Sequence, residues 1–145
     1  MTILELHYEE HRAVPQESIE FLITNFPKFI KKEEAYRAII LKPLQDPKLE
    51  LLKQPFKSWS GSLIGIKKFL HNEDVDMVWD VEDRVLLYRA EVEGFSIPAF
   101  AKMLQDQGLM NTFQGSKFIE EDEILVTHVE NVNLFKEGLF KEFSL

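Results

Sequence analysis

Phe56-Lys57-Ser58-Trp59-Ser60-Gly61-Ser62-Leu63-Ile64-Gly65-Ile66-Lys67-Lys68-Phe69-Leu70 reads as two elements joined by a serine turn. Phe56 to Ser60 is a short strand, and Ser60 or Ser62 can cap a helix that runs to about Leu70. A β-turn-α unit is implied, so the fold mixes both kinds of element. Upstream, Ala35-Tyr36-Arg37-Ala38-Ile39-Ile40-Leu41 is β-branched and aromatic and stops before Lys42-Pro43. It is too short for a good helix and is expected to be a strand. Between these two strands Asp46-Pro47 and Gln54-Pro55 bracket Leu49 to Leu52, which has room for one or two helical turns. Further upstream, apolar residues from Ile19 to Ile30 recur at three- and four-residue steps within Pro15 to Lys32, and Pro27 ends one helix and starts another turn.

Downstream the alternation continues. Val85-Leu86-Leu87-Tyr88-Arg89-Ala90-Glu91-Val92 opens as an apolar run and ends in alternation, as a strand leaving a buried sheet does. Ser96 to Leu104 carries a capping serine and Pro98 near its first turn, which predicts a short helix ended by Gly108. Glu123 to Val129 is a strand on its β-branched content, and Val132 to Phe140 is a final strand or hairpin arm. Strands alternating irregularly with short helices predict an α+β fold in a single domain. Its helical N-terminal part is residues 1–34 and its core residues 35–145.

Composition narrows the function classes. The 145 residues are 45% hydrophobic and 29% charged, well away from the composition of disordered chains. The absence of cysteine excludes disulfides, thiolate nucleophiles and cysteine-ligated metals. With 17 basic and 25 acidic residues the net charge is −8, which repels nucleic acid and anionic membranes and attracts basic proteins. No apolar run approaches a membrane span and the first residues lack the basic start of a signal peptide, so a cytoplasmic protein is expected.

Two patterns suggest metals and are weak. His7-Tyr8-Glu9-Glu10-His11 matches H-x-x-E-H but offers no third ligand, and a solvated segment is the preferred reading. Asp74, Asp76 and Asp80 with Glu73, Glu82 and Asp83 lack the glycine and the terminal glutamate of a calcium loop. They are expected to form a solvated acidic loop anchored by Val75, Met77, Val78 and Trp79, so no metal is assigned. There is no G-x-G-x-x-G, P-loop or G-x-S-x-G.

Three further features acquire meaning in their order: Tyr36-Arg37 in the first strand, Ser58-Trp59-Ser60 ahead of a helix, and Glu121-Asp122-Glu123 leading into Ile124-Leu125-Val126. The chain thereby resembles the arginine-serine-glutamate class of mono-ADP-ribosyltransferases, including small bacteriophage enzymes that modify host proteins. The likeness covers about Ala35 to Phe135. Ala38 stands where glycine is frequent, and Trp59 where threonine is common between the serines.

The resemblance implies a split β-core around a cleft and NAD as substrate. Arg37 would hold the NAD phosphates, Tyr36, Ser58, Trp59 and Ser60 would line the cofactor site, and Glu123, Glu121 and Ser58 would serve catalysis. The chemistry is consistent with these residue types. A forked guanidinium grips pyrophosphate bidentately, and a carboxylate stabilises the oxocarbenium-like centre that forms when the nicotinamide–ribose bond breaks. On an extended segment Glu121 and Glu123 point to one side, so Glu121 can orient an acceptor guanidinium and take its proton. The implied partner is a basic protein, in the host cytoplasm if the gene is a phage's. Tyr88-Arg89-Ala90 repeats the tripeptide Tyr36-Arg37-Ala38, and Arg89 is expected to be a surface charge. Against this stand two non-catalytic alternatives, an inactive relative that binds a protein through its acidic surface and an acidic mimic of DNA.

Overall fold

A computed structural model describes residues 16–54, 57–71, 80–110 and 122–145. Four antiparallel strands carry the fold: β1 (Ile30–Leu41), β2 (Lys57–Ser60), β3 (Arg84–Ser96) and β4 (Glu123–Leu139). They close on one another in the order β1-β2-β4-β3. Helix α1 (Gln16–Asn25) precedes β1 through a 3₁₀ turn at Pro27–Phe29, and the single-turn α2 (Leu49–Leu52) lies between β1 and β2. Helix α3 (Leu63–Leu70) follows β2, α4 (Ile97–Asp106) follows β3, and a 3₁₀ turn at Phe140–Glu142 follows β4. The architecture is α+β, as expected.

Side-chain alternation divides the sheet into two faces. Ala35, Ile39 and Leu41 of β1 turn inward with Trp59, Leu86, Tyr88, Ala90, Val92, Ile124 and Val126 to fill the space between the strands. Tyr36, Ala38 and Ile40 turn outward, where Ile66 and Leu70 of α3 pack on them with Val85, Leu87 and Phe140. A third cluster seats Ile19 and Leu22 of α1 and Phe100 and Leu104 of α4 against Phe95 and Leu125. Its aromatic rings meet tilted or edge-on, Phe26 to Phe100 at 5.0 Å and Phe95 to Phe100 at 5.5 Å between centroids.

Local signals place the helices well. Ser62 caps α3 by accepting a hydrogen bond from the Gly65 N–H at 3.1 Å, and Ser96 caps α4 through the Ala99 N–H at 3.3 Å. Pro98 sits in the first turn of α4, and Gly108, at φ 73°, takes the left-handed conformation that ends it.

Three strand boundaries differ from expectation, one being the end of β3, which runs past Val92 to Ser96. β1 begins at Ile30 rather than Ala35, because Ile30 to Glu34 pair with Phe95 to Glu91 of β3 in unbroken register. A charged run with little strand propensity of its own is held extended by its neighbour. The two C-terminal arms are one strand, β4, from Glu123 to Leu139. The break expected near residue 131 is instead a bulge, where the pairing skips between Arg89 and Glu91 and Asn131 adopts φ 54°. A second bulge brings Gly94 so close to β4 that a Cβ there would lie 2.6 Å from the Leu125 carbonyl oxygen.

Asp83 also departs from its expected place in a solvated loop. It is 1% exposed, bonds Lys42 Nζ at 2.9 Å, accepts the Asp80 N–H at 2.7 Å, and offers its carbonyl to the Phe140 N–H at 2.7 Å. Burial is tolerated because the charge is paired and hydrogen-bonded. Asp74, Asp76, Glu73 and the anchor residues Val75 to Trp79 lie outside the described residues, as does His7 to His11.

Candidate functional site

The closure between β1 and β2 is narrow. Among the described residues Tyr36↔Ser60 is the one backbone pair joining them, whereas twelve pairs join β1 to β3. Next to that pair the Arg37 guanidinium spans the seam, Nη1 donating to the Ser58 carbonyl oxygen at 2.6 Å. A side chain thus adds a cross-strand bond beside the ladder.

The same pair begins a lateral row. Ser60 is opposite Tyr36 on one side and Glu123 on the other, so the three side chains stand on one face of the sheet, spanning roughly 10 Å over two strand spacings. Ser58, two residues along β2, shares that face. Tyr36, Ser58, Ser60 and Glu123 wall a cavity of about 160 Å³ roofed by Ile66 and Phe69 of α3. Glu123 is buried and Ser58 is exposed. The Ser60 hydroxyl donates to the Ser62 carbonyl oxygen at 3.0 Å, which ties it to the turn that starts α3. Tyr36 donates its hydroxyl to Glu34 Oε1 at 3.2 Å, and burial, followed by that bond, raises its pKa.

Arg37 borders this cavity and also a second one of about 320 Å³. Its side chain belongs to the inward face of β1 with Ile39 and Leu41, which line the second cavity beside it. Among the described residues no carboxylate pairs with the guanidinium. Burial lowers its pKa, yet an arginine remains charged at any physiological pH. A half-buried cation without a counter-ion is costly and is an open receptor for an anion.

Trp59 packs in the interior at 2% exposure and borders the cavity from behind rather than standing open on its wall. Its indole N–H has no acceptor among the described residues. Arg89 stays at the surface, as expected, over the Phe135 ring at 5.3 Å and 3.9 Å from Glu34. Glu121 lies outside the described residues.

Sequence reasoning did not find the α3 roof or the second cavity. The three- and four-residue spacing of Ile66, Phe69 and Leu70 signals a packed face, but what that face covers depends on where β1 and β4 lie. A carboxylate-rich groove begins at Glu34, lined by Glu33, Glu34, Glu91, Glu93 and Glu130 with His128 and with Lys32, which pairs with Glu93 at 3.5 Å. Among the described residues no three such groups gather as a metal site, and no helix is long and apolar enough to cross a membrane.

No family model, curated protein or solved structure matches this chain. The site therefore has to be interpreted from its own geometry.

Proposed function

We propose that the protein is a mono-ADP-ribosyltransferase that moves ADP-ribose from NAD to a side chain of a basic protein, with arginine as the acceptor. The observation that carries this reading is the row Tyr36–Ser60–Glu123 on the wall of one cavity, with the Arg37 guanidinium spanning the seam beside it. Described residues of three motifs far apart in sequence thereby line one cavity, which supports the reading.

In this mechanism Arg37 binds the pyrophosphate through its remaining N–H donors, which anchors NAD across the seam. Ser58, whose hydroxyl is exposed, hydrogen-bonds the ribose. The bond between ribose C1′ and the nicotinamide nitrogen breaks, its electron pair leaving with neutral nicotinamide, and positive charge develops on the ribose. The Glu123 carboxylate stabilises that charge directly and through a ribose hydroxyl. The acceptor nitrogen donates its lone pair to C1′ and loses a proton, which Glu121 takes. A cationic acceptor is favoured by the carboxylate groove, since Glu34 both lines it and holds the Tyr36 hydroxyl at the cavity wall.

The two glutamates separate the reading from its alternatives. Glu123→Gln keeps the shape and removes the charge, so nicotinamide release and label transfer from labelled NAD should both fall by about a hundredfold or more. Glu121→Gln should lose transfer while keeping measurable hydrolysis, because water still captures the ribose cation. Wild-type rates for Glu123→Gln in both assays would overturn the transferase reading. An acidic protein-binding module would then account better for the groove.

A further inference from the structure

We propose that the cavity between β1 and α2 binds a small amphipathic monocarboxylate, its anionic head on Arg37 and its apolar body on the leucines of α2. The site goes beyond the transferase reading, and its test uses no NAD. It lies on the inward face of β1, whereas the Tyr36–Ser60–Glu123 row stands on the outward face. Arg37 serves both readings, so a carboxylate seated here competes with an NAD phosphate for the guanidinium.

The head group follows from the cation. Arg37 is half-buried, its Nη1 is held by the Ser58 carbonyl oxygen, and among the described residues no acceptor takes the Nε–Nη2 edge. No carboxylate of those residues pairs with the guanidinium either. A free guanidinium edge matches the two oxygens of a carboxylate and grips them bidentately. Such a ligand offsets the cost of holding the cation away from water. A single negative charge is what the cavity favours. Asp46 and Lys48 stand together at its exposed rim and cancel, which leaves Arg37 as its net charge, and the −8 of the whole chain opposes a polyanion.

The body follows from the lining. Ile39 and Leu41 of β1 with Leu51 and Leu52 of α2 give the cavity an apolar floor. Leu41 and Leu52 belong to the core, whereas Leu51 is 48% exposed and offers apolar surface that a ligand would cover. The turn that leads from β1 to α2 is tied down. Arg84 Nη2 donates to the Gln45 carbonyl oxygen at 2.7 Å, and Gln45 Oε1 accepts the Lys42 N–H at 3.2 Å. The wall ahead of α2 is thereby fixed to β3 and to the end of β1. At about 320 Å³ the cavity is about twice the roughly 150 Å³ that accommodates benzene, so a ring with a short carboxylate arm fits it.

The test titrates phenylpropanoate and its neutral amide into the wild type by calorimetry, and repeats the carboxylate with Arg37→Gln, Leu51→Glu and Arg89→Ala. The carboxylate should bind the wild type at one site, and the amide, alike in shape but uncharged, should bind about tenfold or more weaker. Arg37→Gln removes the charge and Leu51→Glu sets a second carboxylate against the ligand, so each should weaken binding by about tenfold or more. Arg89→Ala should leave it unchanged, because that guanidinium lies over Phe135. The two ligands are compared on the wild type alone, so the result stands even if Arg37→Gln fails to fold. Absence of carboxylate binding at millimolar concentration overturns the site, as does equal affinity for the acid and its amide. Affinity kept in both Arg37→Gln and Leu51→Glu overturns it as well. Inorganic phosphate bound as tightly as phenylpropanoate would show that the apolar floor takes no part and overturn the amphipathic ligand.

Discussion

Arg37 and Arg89 occupy the same tripeptide context and differ in what surrounds the guanidinium. Arg89 lies over Phe135 beside Glu34, whereas Arg37 is half-buried with one hydrogen bond, to a main-chain carbonyl. A charge-assisted hydrogen bond contributes about 1.5–3 kcal/mol, so Arg37→Ala should weaken NAD roughly tenfold to a hundredfold. Arg89→Ala should leave NAD affinity within about twofold of the wild type. Thermal shifts with NAD, each taken against the ligand-free variant, give the comparison, and equal losses in the two variants would exclude Arg37 as the anion receptor. Asp83 supplies a prediction in pH. The hydrogen bond from Lys42 holds its carboxyl below the usual carboxylate range. A depressed folded-state pKa means that the stabilisation is fully present above the unfolded value, near pH 4, and is lost as pH falls through the lower folded value. Asp83→Asn keeps an oxygen for the Asp80 N–H and loses the charge. It should be less stable than the wild type at pH 7, with a gap that narrows below about pH 4 in denaturant titrations. A gap of constant size from pH 7 to pH 3 would show that the ion pair contributes nothing.

At the scale of elements, the Ser58-to-Leu70 unit does two jobs with one turn. Ser60 ties its hydroxyl to the Ser62 carbonyl, and Ser62 caps α3. The cap sets where the helix begins and hence where Ile66 and Phe69 sit over the cavity. Ser62→Ala should cost about 0.5–2 kcal/mol in urea unfolding and should speed hydrogen exchange at the Gly65 amide. An unchanged midpoint would mean that packing on β1 alone determines the helix start. At Gly61, between the two serines, a Cβ would meet Glu33 Oε1 at 2.6 Å and Asp122 Oδ2 at 2.8 Å, the ends of two side chains that would have to swing aside. Its N–H donates to the Asp122 carbonyl at 2.9 Å, so the serine turn and the entry to β4 are joined through backbone as well as through the Ser60↔Glu123 pair.

At the scale of the whole molecule, the proposed transfer would have the net charge of −8 and the carboxylate-rich groove act on the acceptor rather than on NAD. Raising salt from 0.1 to 1 M shortens the screening length from about 10 Å to about 3 Å. The KM for a basic protein acceptor should therefore rise steeply with salt. Nicotinamide release in the absence of acceptor should change by a smaller factor, because a pyrophosphate on Arg37 would be held by direct contact. Parallel salt dependence in the two assays would remove the groove from acceptor capture.

Where the signal is short-range, the sequence alone determined the outcome. Ser62 and Ser96 are caps because a hydroxyl three residues ahead of a free N–H is enough to begin a helix. Leu49–Leu52 is a single turn because prolines bracket it. Tyr36, Ser58, Ser60 and Glu123 were legible as site candidates from their order and element types, and they share one cavity wall. What tertiary structure decided depends on partners distant along the chain. The register against β3 extends β1 to Ile30 and, with the bulge at Asn131, joins two arms into β4. Lys42 draws Asp83 out of solvent from 41 residues away. The bond from Arg37 to the Ser58 carbonyl exists because Tyr36↔Ser60 sets β1 beside β2, and the face on which Arg37 emerges follows from which side of β1 the core fills. Propensity and spacing are local quantities, whereas register and burial are properties of two strands together.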